Sequence, residues 1–240
     1  MLSATPDPEG IVYAAARGCY SEDSSAEIYD DGVEMPTAEA FIRGVVNSGH
    51  LSVLEHVVYV FSIEGISRAC SHQLVRHRVA SYSQQSQRYV YFGDDGIVFY
   101  TNDVPLEEVE HIYVVPPAIA QDTETLEAFL TYCRTATFGY QHMVEELLEA
   151  GRTEEQAQED ARYLLPNAAK TNITVTMNAR ELRHFFNQRM CKRAQWEIRE
   201  LAFEMYHECC ANAPSLFQKC GASCMWDTCK EGKHSCGEPY

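Results

Sequence analysis

The stretch VVYVFSIEGISRACSHQLVRHR, residues 57–78, decides the fold. Val58, Val60 and Ser62 alternate against Tyr59, Phe61 and Ile63, a β-branched and aromatic run that suits a strand buried on both faces, and Gly65 is placed to break it. Ser67 then caps a predicted helix running to about Arg76, in which Arg68, His72 and Arg76 recur four apart and share one face. That face is cationic. No acid occurs from residue 65 to residue 93, although the chain of 240 residues carries 35 Asp and Glu against 19 Lys and Arg, a formal charge of −16. So acidic a molecule lacks the broad basic face by which proteins displace counterions from a nucleic-acid polymer. The acid-free window reads instead as a local anion site for a small phosphorylated ligand.

Working outward, Thr37 caps a first amphipathic helix with Phe41, Ile42, Val45 and Val46 at helical spacing and Gly49 to end it. Residues 81–91, rich in Ser, Gln and Tyr without an apolar period, read as a loop. Residues 122–150 give a long helix closed by Gly151, and Thr153 with Gln156 makes a capping box for a short helix stopped by Pro166. Residues 170–177 alternate as a strand, Asn178 with Glu181 caps the next helix, and a last helix covers residues 195–211. Few strands, several helices and no βαβ alternation predict an α+β single domain with a small mixed or antiparallel sheet. Neither a Rossmann nor a P-loop glycine pattern is present, so a dinucleotide would bind by other means. The acidic runs 107–110, 145–149 and 154–160 read as solvated helix faces.

Residues 1–10 have no basic or apolar region of a secretory signal and read as a frayed terminus, and no run nears the roughly 18 apolar residues of a membrane helix. A soluble, cytoplasmic protein is expected, with Cys19, Cys70, Cys133, Cys191, Cys209 and Cys210 as reduced thiols. Composition shifts only beyond Pro214, which sets a domain over 1–213 and a Cys-rich tail over 214–240. Cys220, Cys224, Cys229 and Cys236 read as free thiols in a mobile tail; zinc and a disulfide stay open, but the paired C-x-x-C turns of a zinc site are absent and no metal is expected.

The stretch RHRVASYSQQSQRY, residues 76–89, resembles the signature of flavin-dependent thymidylate synthases, an R-H-R followed seven residues later by Ser. The lead-in ISRACSHQLV, the block GHLSVLEH at 49–56, DARYLLPN around Arg162, and TVTMNARELRHFFNQR running into AQWEIRELA are similar to the same family in the same order. The resemblance implies a homotetramer with sites at subunit interfaces, FAD as cofactor, and NADPH and 5,10-methylenetetrahydrofolate as co-substrates in the conversion of dUMP to dTMP. The matching FAD positions are Ser52, Arg76, His77, Arg78, Gln84, Asn178, Arg180 and His184, the last being Asn in some relatives. The matching dUMP positions are Gln73, Leu74, Val75, Arg76, Gln84, Gln85, Ser86, Gln87, Arg88, Arg162 and Arg189. Gln84 stands where some relatives carry Glu. Two alternatives stay open: a flavin-dependent methyltransferase acting on another uracil nucleotide, and a non-catalytic nucleotide-binding module.

The chemistry of uracil explains the choice of residues. C5 of the ring is a poor nucleophile, and an arginine fixed near O2 and N3 would activate it by stabilising the ring anion; that catalytic role falls to Arg189. Ser86 is a weaker candidate nucleophile because no His-Asp pair adjoins it in sequence, and its expected task is a hydrogen bond to phosphate. His50 and Tyr89 are possible folate or flavin contacts, with core packing as the default. Arg180, His184 and Asn187 share one helix face, while Arg189 falls about 180° away at roughly 3.6 residues per turn.

Overall fold

The computed structural model describes residues 1–93 and 104–240. In chain order these residues form β1 (Ser3–Ala4), α1 (Pro8–Gly18), α2 (Ser25–Asp31), α3 (Met35–Asn47), a 3-10 turn (Leu51–His56), β2 (Val58–Ser67), α4 (Arg68–Leu74) and β3 (Ala80–Gln84). They continue through α5 (Leu106–Ile112), α6 (Pro117–Ala120), α7 (Thr123–Glu149), α8 (Glu154–Ala161), a 3-10 turn (Arg162–Leu164), β4 (Lys170–Asn178), α9 (Ala179–Arg189) and α10 (Trp196–Asn212). The strands make one sheet in the order β1-β2-β4-β3, so the expected α+β class holds. β1 runs antiparallel to β2 with Ser3 opposite Val60, and β2 runs antiparallel to β4, since Ala179 N–H bonds Val57 O at 2.8 Å while Arg68 N–H bonds Ala169 O at 3.0 Å.

Several expectations are corrected. Residues 1–10 are not frayed: β1 joins the sheet, and Asp7 accepts from Gly10 N–H to cap α1, with Pro8 preset for its first turn. Gly65 does not end β2, because its φ of 71° lets the backbone pass through a conformation closed to other residues and go on to Ser67. Ser67 does cap α4, accepting from Cys70 N–H at 2.9 Å, yet α4 stops at Leu74, so Arg76 leaves the face of Arg68 and His72. Residues 81–84, read as part of a loop, belong to the edge strand β3, which alternates exposed with half-buried side chains that are mostly polar. α3 begins two residues before Thr37, with Pro36 in its first turn.

The chain divides into two compact units, one of Met1–Ser62, Gln73–Tyr82 and Thr174–Tyr240 and the other of Ile63–His72 and Ser83–Ile173. In the first, Phe217 packs edge-on against Tyr59 and Phe186, at centroid distances of 5.6 and 6.0 Å, and all three rings are buried. Burying such a ring stabilises by about 1.5–3 kcal/mol, so the start of the segment read as a mobile tail is core. Arg183 of α9 reinforces it by donating to the carbonyls of Leu216 and Gln218. In the second unit, α5, α7 and α8 enclose Val109, Tyr113, Leu130, Tyr140 and Ala157, and buried Tyr113 shares a 2.7 Å hydrogen bond with Thr137. All ten cysteines are free thiols.

Candidate active site

Asn178 ends β4 and accepts from Glu181 N–H at 2.8 Å, which starts α9 where the sequence places it. α9 then sorts its polar residues by face. Arg180, His184 and Asn187 line a cavity of about 940 Å³ in the first unit, together with Asn178. Arg189 does not line it. Its side chain turns to His77, where Nε donates to the imidazole Nε2 at 3.0 Å.

His77 is 5% exposed. An arginine can only donate, so Nε2 carries the lone pair and the proton sits on Nδ1, which faces the Glu181 carboxylate at 3.5 Å. The backbone N–H bonds Leu74 O and the carbonyl accepts from Tyr82. Burial, then the charges of Arg189 and His184, press the imidazole down to about 4, so it is neutral at pH 7. Burial also raises the carboxyl of Glu181, partly offset by His184. Among the described residues the terminal amines of Arg189 have no partner, and its positive charge stays uncompensated by the imidazole.

The neighbouring residues divide by exposure. Arg76 and Arg78 are exposed and have no ion-pair partner among the described residues. Ser52 is exposed on the 3-10 turn that also carries Glu55, which pairs with Arg180. Leu74 is fully buried, which leaves only its backbone for a ligand, and its carbonyl is taken by Tyr82 at 2.8 Å. Val75 is exposed, and Gln73 contacts Gln195 at 3.5 Å.

The second unit holds the rest of the expected nucleotide set. Gln85, Ser86 and Gln87 line a cavity of about 420 Å³ with Gly65, His111 and Lys170. Ser86 Oγ accepts from Arg88 N–H at 3.2 Å, and it makes no hydrogen bond to an imidazole or carboxylate among the described residues. Arg88 is gripped by two carboxylates one helical turn apart on α8, Glu155 and, at 2.9 Å, Glu159. That face of α8, read as solvated, is therefore an arginine clamp. Arg162 donates to Glu159 O at 3.1 Å and lies near enough to half-buried Arg68 to lower its affinity for a proton, after burial. Gln84 turns inward, donating to Ser71 at 2.9 Å and Thr171 at 3.3 Å. His50 and Tyr89, whose default reading was core, are exposed, with the Arg88 guanidinium 5.5 Å from the Tyr89 ring centre.

Sequence reasoning gave no site role to Glu181, Glu155 or Glu159, whereas Arg68 was already legible on the cationic face of the acid-free window. The two α8 glutamates were findable, because acids at i and i+4 make a bidentate face for one arginine. Among the described residues no cluster of three or more His, Cys, Asp or Glu is arranged to hold a metal, and no helix is long and apolar enough to cross a membrane.

Exposed Arg76 and Arg78 and the unneutralised Arg189 give the first unit of this strongly acidic α+β chain the means to hold phosphorylated or otherwise anionic ligands. A family model described as thymidylate synthase complementing protein matches residues 1–215. The flavin-dependent thymidylate synthase of Geobacter sulfurreducens is 44% identical over 238 residues, 99% of this chain and 93% of that one, and the Pyrococcus horikoshii enzyme is 40% identical over 208 residues, 87% and 77% of the two chains. A crystal structure of the Helicobacter pylori flavin-dependent thymidylate synthase, in complex with FAD and dUMP, superposes with a TM-score of 0.69 at 25% identity, covering 92% of this chain and 97% of that one. The chain belongs to the flavin-dependent thymidylate synthase family.

Proposed function

We propose that this chain methylates dUMP to dTMP with FAD as cofactor, 5,10-methylenetetrahydrofolate as carbon donor and NADPH as reductant, releasing tetrahydrofolate, as a homotetramer in the cytoplasm. Its relatives' shared activity supports this, as does the FAD and dUMP held by the Helicobacter pylori enzyme. In the chain itself the carrying observation is Arg189, whose guanidinium is oriented by a neutral imidazole. An arginine neutralised by a carboxylate would lend little to an anionic pyrimidine; one positioned by an uncharged acceptor keeps its full charge for N3 and O2 of the ring. His77 is then a positioning residue rather than a flavin contact, and Glu181 holds its tautomer.

FAD fits the first unit's cavity. A volume of about 940 Å³ is large enough for a dinucleotide, and Asn178, Arg180, His184 and nearby Ser52 would hold it, with exposed Arg76 and Arg78 for its phosphates. Once bound and reduced by NADPH, the flavin would supply the hydride that no side chain can give. The loop of Gln85, Ser86 and Gln87 binds the nucleotide, while Arg88 and Arg162, joined by Arg68, face its phosphate; Arg88 exchanges the glutamates of α8 for phosphate oxygens. Incubation with dUMP, methylenetetrahydrofolate and NADPH tests the reading: dTMP should appear with tetrahydrofolate, and dihydrofolate as by-product, or no dTMP, sinks it.

A further inference from the structure

The matched family region ends at residue 215, yet the chain beyond it lines the same cavity as Asn178, Arg180 and His184. We propose that residues 219–231 are a second wall of the flavin site, in which Trp226 stacks on an aromatic ring of FAD and Lys219 and Lys230 face its pyrophosphate. This rests on the functional reading above and extends it to residues that no part of that reading uses.

The wall is prebuilt. Arg183, on the same helix as the flavin-side residues, donates to the carbonyls of Leu216 and Gln218, and Arg193 pairs with Glu231 at the other end. Between these anchors the indole N–H of Trp226 donates to Cys220 O, which fixes the ring's direction while leaving it 49% exposed on the cavity. Cys220 itself is buried. Gly221 has φ 102°, and a Cβ there would stand 2.7 Å from Met225 Sδ, so a side chain would strain the turn that delivers Trp226.

Charge points to the ligand class. Of the acids on the cavity, Glu55 is paired with Arg180, Glu231 with Arg193, and Glu181 faces His77. Lys219 and Lys230 have no ion-pair partner among the described residues, against one such acid, Asp227. A fixed, half-exposed indole between two unpaired ammonium groups matches a flat ring joined to phosphates, because stacking and charge can then act on one molecule.

The test uses the full chain stripped of flavin, titrated with FAD and, separately, with dUMP. Trp226→Ala should weaken FAD about tenfold and Trp226→Phe by less than about threefold, and the pair Lys219→Gln with Lys230→Gln about tenfold, more at low salt than at high. Binding of dUMP should be unchanged. FAD should also quench tryptophan emission in the wild type and much less in Trp226→Phe, where only Trp196 remains. The quenching and the surface lysine pair keep the test sharp should Trp226→Ala fold poorly. FAD affinities within about twofold of wild type across these variants, or Trp226 emission indifferent to FAD, overturn the second wall and leave the enzyme reading intact. Wild-type protein that takes up no FAD overturns both.

Discussion

Arg189 and Arg88 carry the same group and are held in opposite ways. Arg189 leans on a buried, neutral imidazole in the first unit, whereas Arg88 lies in a cradle of two half-exposed carboxylates in the second. The first arrangement fixes a guanidinium without spending its charge. The second neutralises the charge until a stronger anion competes for it, and at that exposure each ion pair contributes about 0–1 kcal/mol. One arrangement favours a fixed geometry and the other exchange, as the roles proposed for them, orienting a reacting ring and capturing a phosphate, would need.

The contrast can be broken at several points. Removing the core ring beneath α9, Phe217→Ala, should cost about 3–5 kcal/mol in chemical denaturation; a cost below about 1 kcal/mol would mean the post-215 segment is not core. Arg189→Ala should lower kcat by about 10²–10³ while FAD stays bound, read from dTMP formation beside the flavin absorbance. His77→Gln places an acceptor near the position of Nε2 and should retain most activity, whereas His77→Asn offers one only near Nδ1 and should lose about tenfold in kcat with little change in FAD affinity; equal losses would reduce His77 to packing. Smallest should be the clamp: Glu155→Gln with Glu159→Gln should tighten dUMP about two- to fivefold, by calorimetry, since the arginine no longer leaves a charged partner.

Acid should act on the first arrangement more than on the second. Unfolded, His77 titrates near 6.5; folded, it is held at about 4. Between these values the unfolded chain binds the extra proton, so stability is complete above about 6.5 and falls as pH drops toward 4, by an amount on the order of 3 kcal/mol. Protonation also removes the acceptor of Arg189. Denaturation midpoints measured from pH 7 to 4.5 should therefore fall more steeply in the wild type than in His77→Gln.

Sequence patterns resolved local structure well at three capped boundaries and misplaced a fourth, since α3 starts before Thr37. Asn178 with Glu181, Thr153 with Gln156, and Asp122 each start a helix in the way their side chains suggest, and each makes the bond that does so. β3 was hidden because it is short and carries only Ala80 and Tyr82 as less polar residues, too little for an apolar alternation to stand out. α1 was missed although Asp7 followed by Pro8 is a legible start. For the site, resemblance supplies positions but not the direction each side chain takes. It groups Leu74 and His77 with ligand contacts, and only three-dimensional packing shows one buried outright and the other enclosed by Arg189, Glu181 and Tyr82.

Arg183 binds two main-chain oxygens that lie just past the residues matched by the family model. A half-buried guanidinium deprived of those acceptors would be left less well solvated, so shortening the chain at this point should carry a cost that depends on that side chain. Relatives that end near residue 215 should carry a smaller or uncharged residue at the corresponding place, making position 183 a one-letter marker of which family members possess the extra stretch.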